Sequence, residues 1–144
     1  MNVQDLIRTR QQIYSMSHDM TVYEAARYLR DHKVRAAGVV DAGGKLVGVV
    51  SQSDISDKVA AENKCPAWMR ISEIMTRELV TVTPELALDE CLRCMEKNGI
   101  FHLLVVDDTD CFRGMISVAD LLEVIALDEK SRADMLEALL FPQR

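Results

Sequence analysis

The stretch Gly48-Val49-Val50-Ser51-Gln52-Ser53-Asp54 returns in altered letters as Gly114-Met115-Ile116-Ser117-Val118-Ala119-Asp120. A constant offset of 66 residues relates the two phrases, and it also carries Val39-Val40-Asp41 onto Val105-Val106-Asp107. Residues 15–54 are therefore repeated at residues 81–120. In a chain of 144 residues, a repeat of this length predicts two similar halves that share one core.

The first copy predicts a strand, a helix, a β-hairpin and a second helix. Residues 13–16 form the short strand, and Thr21 with Glu24 is a capping box for a helix that runs to about His32. Apolar runs at 36–40 and 46–50 flank a glycine-containing turn and predict the hairpin. The following helix is expected to begin at about Asp54 and to fade near Asn63.

The second copy predicts the same order, with strands at 80–83, 102–106 and 112–116. Pro84 is expected to open a helix that runs to about Lys97, because the first turn of a helix tolerates a missing N–H. Another helix is expected from Val118. A short amphipathic segment, at 3–8 and at 71–76, precedes each copy.

These patterns divide the chain into a first repeat at 1–63, a linker at 64–70, a second repeat at 71–127 and a helical tail at 128–144. The tail has no counterpart in the first half, and its apolar residues predict packing against its own domain or against a second subunit. Those apolar residues are Leu136, Leu139, Leu140 and Phe141.

Composition excludes several classes of function. The net charge of -6 argues against a non-specific nucleic-acid binder. No apolar run approaches the roughly 20 residues that span a bilayer, and the first ten residues lack the apolar centre of a secretory signal, so we expect no membrane partner and a cytoplasmic protein.

Cys91 and Cys94 have the spacing of half a zinc or redox motif. Their sister positions are Ala25 and Tyr28, which favours side chains on a helix and free thiols.

The repeated phrase places Ser and Asp where a strand passes into a helix. The first helical N–H groups attract anions, serine hydroxyls donate to phosphate, and a carboxylate such as Asp54 accepts hydrogen bonds from a ribose diol. Phosphate and ribose together indicate a nucleotide. Helix capping alone also explains Ser and Asp at these positions, and the recurrence of both residues in both copies favours binding.

The span from Val3 to about Ile125 resembles a tandem pair of CBS domains, a Bateman module. The resemblance rests on Val-Val-Asp before a hairpin, on the Gly-x-x-Ser-x-x-Asp endings, and on Val80-Thr-Val-Thr-Pro84 after Ile71-Ser-Glu-Ile-Met-Thr76. It implies an α+β fold of two βαββα repeats about a pseudo-twofold axis, with a C-terminal helical extension. It also implies two clefts for adenine nucleotides (AMP, ADP, ATP) or a related adenosyl ligand, and a homodimer.

The resemblance also implies residues for each cleft. The first cleft would be lined by residues that contact the phosphate, ribose and base, together with two residues from the early strand of the opposite repeat. The full set is Ser51, Ser53, Asp54, Val49, His32, Lys33, Arg35, Thr81 and Thr83. The second would use Ser117, Asp120, Met115, Ser15, Ser17 and His102. For His102 itself, the favoured interpretation is a partly buried, hydrogen-bonded histidine at a strand end, and a place at the border of the second cleft is the alternative. Because His32, Lys33 and Arg35 have Asn98, Gly99 and Phe101 as sisters, the Asp54 cleft is expected to hold the phosphate.

No nucleophile with a base, metal cluster or phosphate loop is evident, so no catalytic residues and no required cofactor or metal are expected. The preferred hypothesis is a regulatory module that binds an adenosine-containing small molecule and signals to an effector protein, as in energy sensing. The alternative is a structural or dimerisation adaptor with vestigial clefts. An enzyme acting on a bound nucleotide is the third class.

Overall fold

The computed structural model describes residues 1–8, 12–125 and 129–140. Its elements, in chain order, are α1 (Val3–Ile7), β1 (Ser15–Ser17), α2 (Val22–His32), β2 (Ala36–Val40), β3 (Leu46–Ser51), α3 (Gln52–Ile55), β4 (Thr81–Val82), α4 (Leu88–Asn98), β5 (His102–Val106), β6 (Phe112–Ser117), α5 (Val118–Ile125) and α6 (Glu129–Leu140). A π-helical turn, Ser56–Ala60, extends α3, and 3-10 turns lie at Pro66–Trp68 and Ile71–Glu73. The predicted α+β fold with two related repeats is confirmed.

Each repeat contains one three-stranded mixed sheet, ordered β1-β2-β3 and β4-β5-β6. The first strand runs parallel to the second, and the second pairs antiparallel with the third. The 66-residue offset holds in the register, because Ser15 pairs with Gly38 and Thr81 pairs with Leu104. Both hairpins have a register shift at the same place, Val39/Val40 and Val105/Val106.

The repeated aspartate after each Val-Val pair shapes the hairpin turn. Asp41 Oδ1 accepts hydrogen bonds from the N–H groups of Gly43 and Lys45, and Asp107 Oδ1 accepts from those of Thr109 and Cys111. An Asx side chain commonly stabilises a turn in this way. The repeated Val-Val-Asp phrase therefore has a structural explanation in both copies.

Each repeat has its own hydrophobic core, in contrast to the single shared core expected from the sequence, and the amphipathic segments are exchanged between the repeats. Val3 and Leu6 of α1 are buried in the core of the second repeat, together with Leu88, Leu103 and Leu121. Conversely, the core of the first repeat is completed by residues from the start of the second, namely Ile71, Ile74 and Met75. Backbone bridges from Asn2 to Ala87 and from Arg70 to Thr21 fix the two exchanges.

The prediction that Pro84 opens a helix is wrong, because α4 begins at Leu88 with Ala87 as its N-cap. The preceding residues are held by α1: Gln4 N donates to Pro84 O at 2.8 Å, and Val3 N donates to Leu86 O at 2.9 Å. These bonds keep the backbone out of the helix for a further turn. The capping box at Thr21 and Glu24, in contrast, is confirmed.

Three other predicted boundaries are shifted. The strand expected at 13–16 is Ser15–Ser17, and the one expected at 80–83 is Thr81–Val82. The helix expected from about Asp54 begins at Gln52, because Ser51 is its N-cap and Asp54 is its third residue. The α-helix ends at Ile55, the π-helical turn continues to Ala60, and residues 61–63 form a turn.

In the tail, Leu139 packs against the core of the second repeat, whereas Leu140 is exposed and Leu136 is half-buried. The predicted apolar residue Phe141 lies outside the described residues. Among the described residues, no helix is long and apolar enough to cross a membrane.

Candidate functional site

The corner where β6 passes into α5 has a reciprocal cap. Ser117 N donates to Asp120 Oδ2 at 2.7 Å, and Asp120 N donates to Ser117 Oγ at 3.2 Å. The corresponding distances for Ser51 and Asp54 are 2.9 Å and 3.2 Å. The repeated Ser-x-x-Asp phrase is therefore a capping box in both copies, which fixes the position of each carboxylate at a strand-to-helix corner.

A cavity of about 670 Å³ opens beside Ser117 and Asp120. This volume is typical of small-molecule sites. The first repeat contributes Ile7, Gln12, Ile13, Tyr14, Val34, Arg35 and Ala36, and the second contributes His102, Arg113, Gly114, Met115, Ser117 and Asp120. A ligand in this cavity would contact both halves of the chain.

Among the described residues, the lining of the cavity includes the guanidinium groups of Arg35 and Arg113 and the carboxylate of Asp120. Arg35 and Arg113 come from different repeats and are exposed to solvent, and Asp120 is half-buried. Guanidinium groups bind phosphate and carboxylate through paired N–H donors. Ile13, Tyr14 and Met115 provide apolar surface in the same cavity. The arrangement suits a ligand that carries an anionic group, hydroxyls and a flat apolar part.

Gly114 leaves room in the wall of this cavity. Its φ is +135°, a conformation that favours glycine, and no described heavy atom lies within 4 Å of the position that a Cβ would take. At the sister residue, Gly48, a Cβ would lie 2.6 Å from Met75 Sδ and 3.1 Å from Thr76 O. The strand surface at Gly48 is thus covered by the exchanged segment.

The Asp54 corner is crowded by the chain itself. Asp54 is 8% exposed. Besides the bonds of the cap, its carboxylate accepts from Thr76 Oγ1 at 3.3 Å and pairs with Lys58 Nζ at 3.0 Å. Lys58 Nζ also donates to Ile74 O at 2.8 Å. The acid that resembles a ribose-binding residue is held in an internal network.

The structure separates the residues predicted for the first cleft. Arg35 lines the cavity with Asp120. The His32 ring lies 4.1 Å from that of Tyr28 and 5.6 Å from that of Tyr14, which lines the same cavity. Lys33 is the left-handed C-cap of α2, with φ 56° and ψ 40°. The cation that pairs with Asp54 is Lys58, and Arg35 lines the Asp120 cavity instead.

The other members of that predicted set have local roles. Val49 exchanges backbone hydrogen bonds with Thr76, and Ser53 is exposed in the first turn of α3. Thr81 pairs with Leu104 in the sheet, and Thr83 O accepts from Leu86 N at 3.2 Å. None of these four residues lines the Asp120 cavity.

Four of the six residues predicted for the second cleft are brought together: Met115, Ser117, Asp120 and His102. The remaining two are not cavity residues. Ser15 N donates to Tyr28 Oη at 3.1 Å, and Ser17 Oγ donates to Asp19 Oδ1 at 2.5 Å. The favoured interpretation of His102 as a partly buried histidine is wrong, because this residue is exposed and lines the cavity.

Sequence reasoning missed Ile13 and Tyr14 as ligand-facing residues, because both fit the apolar start of a strand. A tyrosine directly before so short a strand was the available signal. Arg113 was also missed, although its charge stands out between Phe112 and Gly114 in an otherwise apolar strand. Both signals become informative only when the strand ends are known to border a cavity.

The cysteines do not form a cluster. All four are free, and Cys91 is buried in the core of the second repeat, where burial raises the pKa of its thiol to about 11. Cys94 is half-buried on the same helix. Within the described parts of the chain, no group of three or more potential metal ligands occurs.

The CBS-domain family model matches residues 3–61 and 71–127. The chain therefore belongs to the CBS-domain family and contains two copies of the domain. The solved structure of a protein with CBS domains from Burkholderia ambifaria is similar over 90% of this chain and 96% of its own, with a TM-score of 0.75 and 27% identity.

A second similar structure is the CBS domain pair of protein MJ0100 in complex with 5'-methylthioadenosine and S-adenosyl-L-methionine. It has a TM-score of 0.73 and 30% identity, and the similarity covers 88% of this chain and 96% of that one. Inosine-5'-monophosphate dehydrogenase of Nitrosopumilus maritimus is 33% identical over 108 residues, which are 75% of this chain and 21% of that protein. The chain spans between 21% and 61% of the length of three curated relatives.

Proposed function

We propose that this chain is a regulatory module that binds an adenine nucleotide (AMP, ADP or ATP) in the Asp120 cavity and signals to an effector protein. The observation that carries the proposal is the cavity of about 670 Å³ to which both repeats contribute. Arg35, Arg113 and Asp120 in its lining match the phosphate and ribose of a nucleotide. This moves the expected phosphate site from Asp54 to Asp120.

Each part of the nucleotide has a complementary group in the cavity. We assign Asp120 to the ribose hydroxyls and the two guanidinium groups, Arg35 and Arg113, to the phosphate. Met115, Ile13 and Tyr14 supply apolar surface for the base, which is the favoured environment for a flat aromatic ring. The adenosyl ligands of the related MJ0100 pair support an adenosine compound as the ligand class.

A ligand in this position would act on the relation between the repeats. Because Arg35 belongs to one half and Arg113 to the other, a bound phosphate would draw the two halves together. A ligand shifts a conformational equilibrium only through a difference in affinity for its two states. A state in which both Arg35 and Arg113 contact the phosphate would bind the nucleotide more tightly than a state in which only one does. An effector protein would recognise the favoured state. The family match indicates no enzyme class, and we assign no catalytic residue.

A thermal-shift panel of AMP, ADP, ATP, 5'-methylthioadenosine and S-adenosylmethionine tests the proposal. A ligand at about 100 times its Kd adds roughly 2.7 kcal/mol to the stability, or about 5–10 °C for a domain of this size. Arg35→Gln should abolish most of the shift. Arg30→Gln is the matched control, because Arg30 is an exposed arginine of α2 that pairs with Asp31.

The absence of any thermal shift would favour the adaptor hypothesis over ligand binding. If none of the five compounds raises the Tm of the wild-type protein, the Asp120 cavity is not an adenosine site. An unchanged shift in Arg35→Gln would likewise remove the proposed phosphate contact. A larger shift with 5'-methylthioadenosine than with any of the nucleotides would assign the cavity to an uncharged adenosyl compound.

We also propose a homodimer that functions in the cytoplasm. Exposed aromatic side chains support the dimer, since Trp68 is 85% exposed and Tyr23 of α2 is 43% exposed. The free cysteines are in keeping with a reducing compartment. Light scattering coupled to gel filtration should give twice the 16.2 kDa mass of the chain, and a monomer at working concentration would contradict the proposal.

A further inference from the structure

We propose that the C-terminal helix α6 of one chain packs into a groove on the first repeat of a second copy, so that the two copies of the dimer exchange their tails. The groove lies between α2 and the helical segment that begins with α3. Its lining and the exposed face of α6 are complementary in charge and in apolar surface. The inference rests on the proposed homodimer and does not depend on the nucleotide.

The groove on the first repeat has a volume of about 360 Å³. Its apolar lining includes Ala26 of α2, Ile55 of α3 and Pro66 of the following 3-10 turn. Tyr23 lines the same groove and is 43% exposed. An apolar groove between two helices is a common binding site for the apolar face of a third helix. The shape of this surface therefore suits a helical partner.

The charged side chains that line the groove are cationic. Among the described lining residues, Arg27, Arg30 and Lys64 are basic and none is acidic, and all three are exposed. The guanidinium carbon of Arg27 lies 5.7 Å from the centroid of the Tyr23 ring, and Arg30 Nη2 lies 2.9 Å from Asp31 Oδ1. Because the whole chain has a net charge of -6, the groove is a local basic surface on an acidic protein. Such a surface favours an acidic partner segment.

Helix α6 has an exposed face that is both acidic and apolar. Ala133, Glu137 and Leu140 have the spacing of residues on one face of a helix, and Asp134 lies next to Ala133 in the sequence. All four side chains are exposed, and Leu140 is 69% exposed. The two carboxylates complement the basic residues of the groove, and Leu140 complements its apolar lining.

A second copy of the chain is the partner that the fold favours. Leu139 packs against the core of the second repeat and so holds α6 on that repeat. The groove lies on the first repeat, where Ala25 and Leu29 of α2 belong to the other core. In a dimer with twofold symmetry, each α6 would reach the groove of the other copy, and the same contact would form twice.

Paired charge reversals test the contact by sedimentation velocity over a series of concentrations of the full chain. The groove variant carries Arg27→Glu and Arg30→Glu, and the tail variant carries Asp134→Lys and Glu137→Lys. Each should weaken the dimer roughly tenfold or more, because like charges would face each other at both contacts. All four side chains are exposed, so each variant should keep the circular dichroism spectrum of the wild-type protein.

The matched control reverses two exposed cations of α4, with Arg93→Glu and Lys97→Glu. These residues lie on the second repeat and do not line the groove. The control should therefore leave the dimer affinity unchanged.

An equimolar mixture of the groove variant and the tail variant tests whether the contact is between chains. In the mixed dimer the reversed groove meets the reversed tail, and the unchanged groove meets the unchanged tail. The mixture should therefore regain a dimer affinity within about threefold of wild type, and native mass spectrometry should show the heterodimer. If α6 covered the groove of its own chain, mixing would restore nothing, and the inference would be wrong.

A wild-type dimer that neither reversal weakens would overturn this inference and leave the homodimer in place. A control variant that weakens the dimer as much as the groove variant would do the same. A monomeric wild-type protein would overturn both the inference and the homodimer. The thermal-shift panel tests the nucleotide separately, because neither the groove nor α6 lines the Asp120 cavity.

Discussion

Lys33 occupies a backbone conformation that suits glycine. Its φ of 56° and ψ of 40° make it the left-handed C-cap of α2, and its sister at the end of α4 is Gly99, with φ 63° and ψ 36°. The left-handed region costs a non-glycine residue about 1–2 kcal/mol, and glycine loses about 0.4–1 kcal/mol more chain entropy on folding. Lys33→Gly should therefore stabilise the protein by about 0.5–1 kcal/mol, or roughly 1–4 °C in Tm.

The hydrogen bonds of this cap are independent of the side chain. Lys33 N donates to Arg30 O at 3.2 Å, and Val34 N donates to Leu29 O at 3.1 Å. Thermal unfolding followed by circular dichroism measures the gain. Gly99→Lys, the reverse change, should destabilise by a similar amount, and the double variant should lie close to wild type because the sites are in different repeats.

A lower Tm for Lys33→Gly would refute this reasoning, since it would mean that the lysine side chain contributes more than the backbone conformation costs. Lys33 is also a residue that the family resemblance assigns to the ligand. It is exposed and does not line the Asp120 cavity. The same variant should therefore keep the AMP affinity of the wild-type protein.

Two further predictions concern packing and thiol reactivity. Gly48→Ala should lower the free energy of unfolding in urea by about 1–3 kcal/mol, because its Cβ would lie 2.6 Å from Met75 Sδ. The control Gly43→Ala should be nearly neutral, since its Cβ would meet only Asp41 Oδ1, at 3.5 Å. Equal effects of the two substitutions would contradict the close approach at Gly48. Cys91 should resist alkylation in the folded protein while exposed Cys65 reacts, as peptide mapping can show, and equal rates would contradict its burial. Since burial raises the thiol pKa of Cys91 from 9.0 to about 11, its contribution to stability is complete below about pH 9 and is lost as the pH rises through 11.

The elements that sequence predicts correctly have local determinants. Thr21 and Glu24 mark a helix start within four residues, and Asp41 with Gly44 marks a turn. The internal repeat then transfers each assignment to the second copy. Asp120, Ser117 and Met115 were predicted as one site for the same reason, because all three lie within one strand-to-helix corner.

The failures depend on contacts between distant residues. Pro84 stays outside α4 because α1, some eighty residues earlier, binds its carbonyl oxygen. The direction of the Arg35 side chain depends on how the two repeats meet, and the engagement of Asp54 depends on Thr76 and Lys58. A sequence motif places an aspartate at a helix start but carries no information about which tertiary partners reach it.

The exchange of leading segments has a consequence for how such a chain is made. On the ribosome, the first repeat lacks Ile71 and Ile74 until the second repeat has begun to emerge, and α1 has no apolar surface to join until Leu103 and Leu121 have been synthesised. Neither half can therefore finish folding alone. A single repeat expressed by itself would lack part of its apolar core, so we expect it to complete that core with the leading segment of a second molecule and to form a segment-swapped dimer.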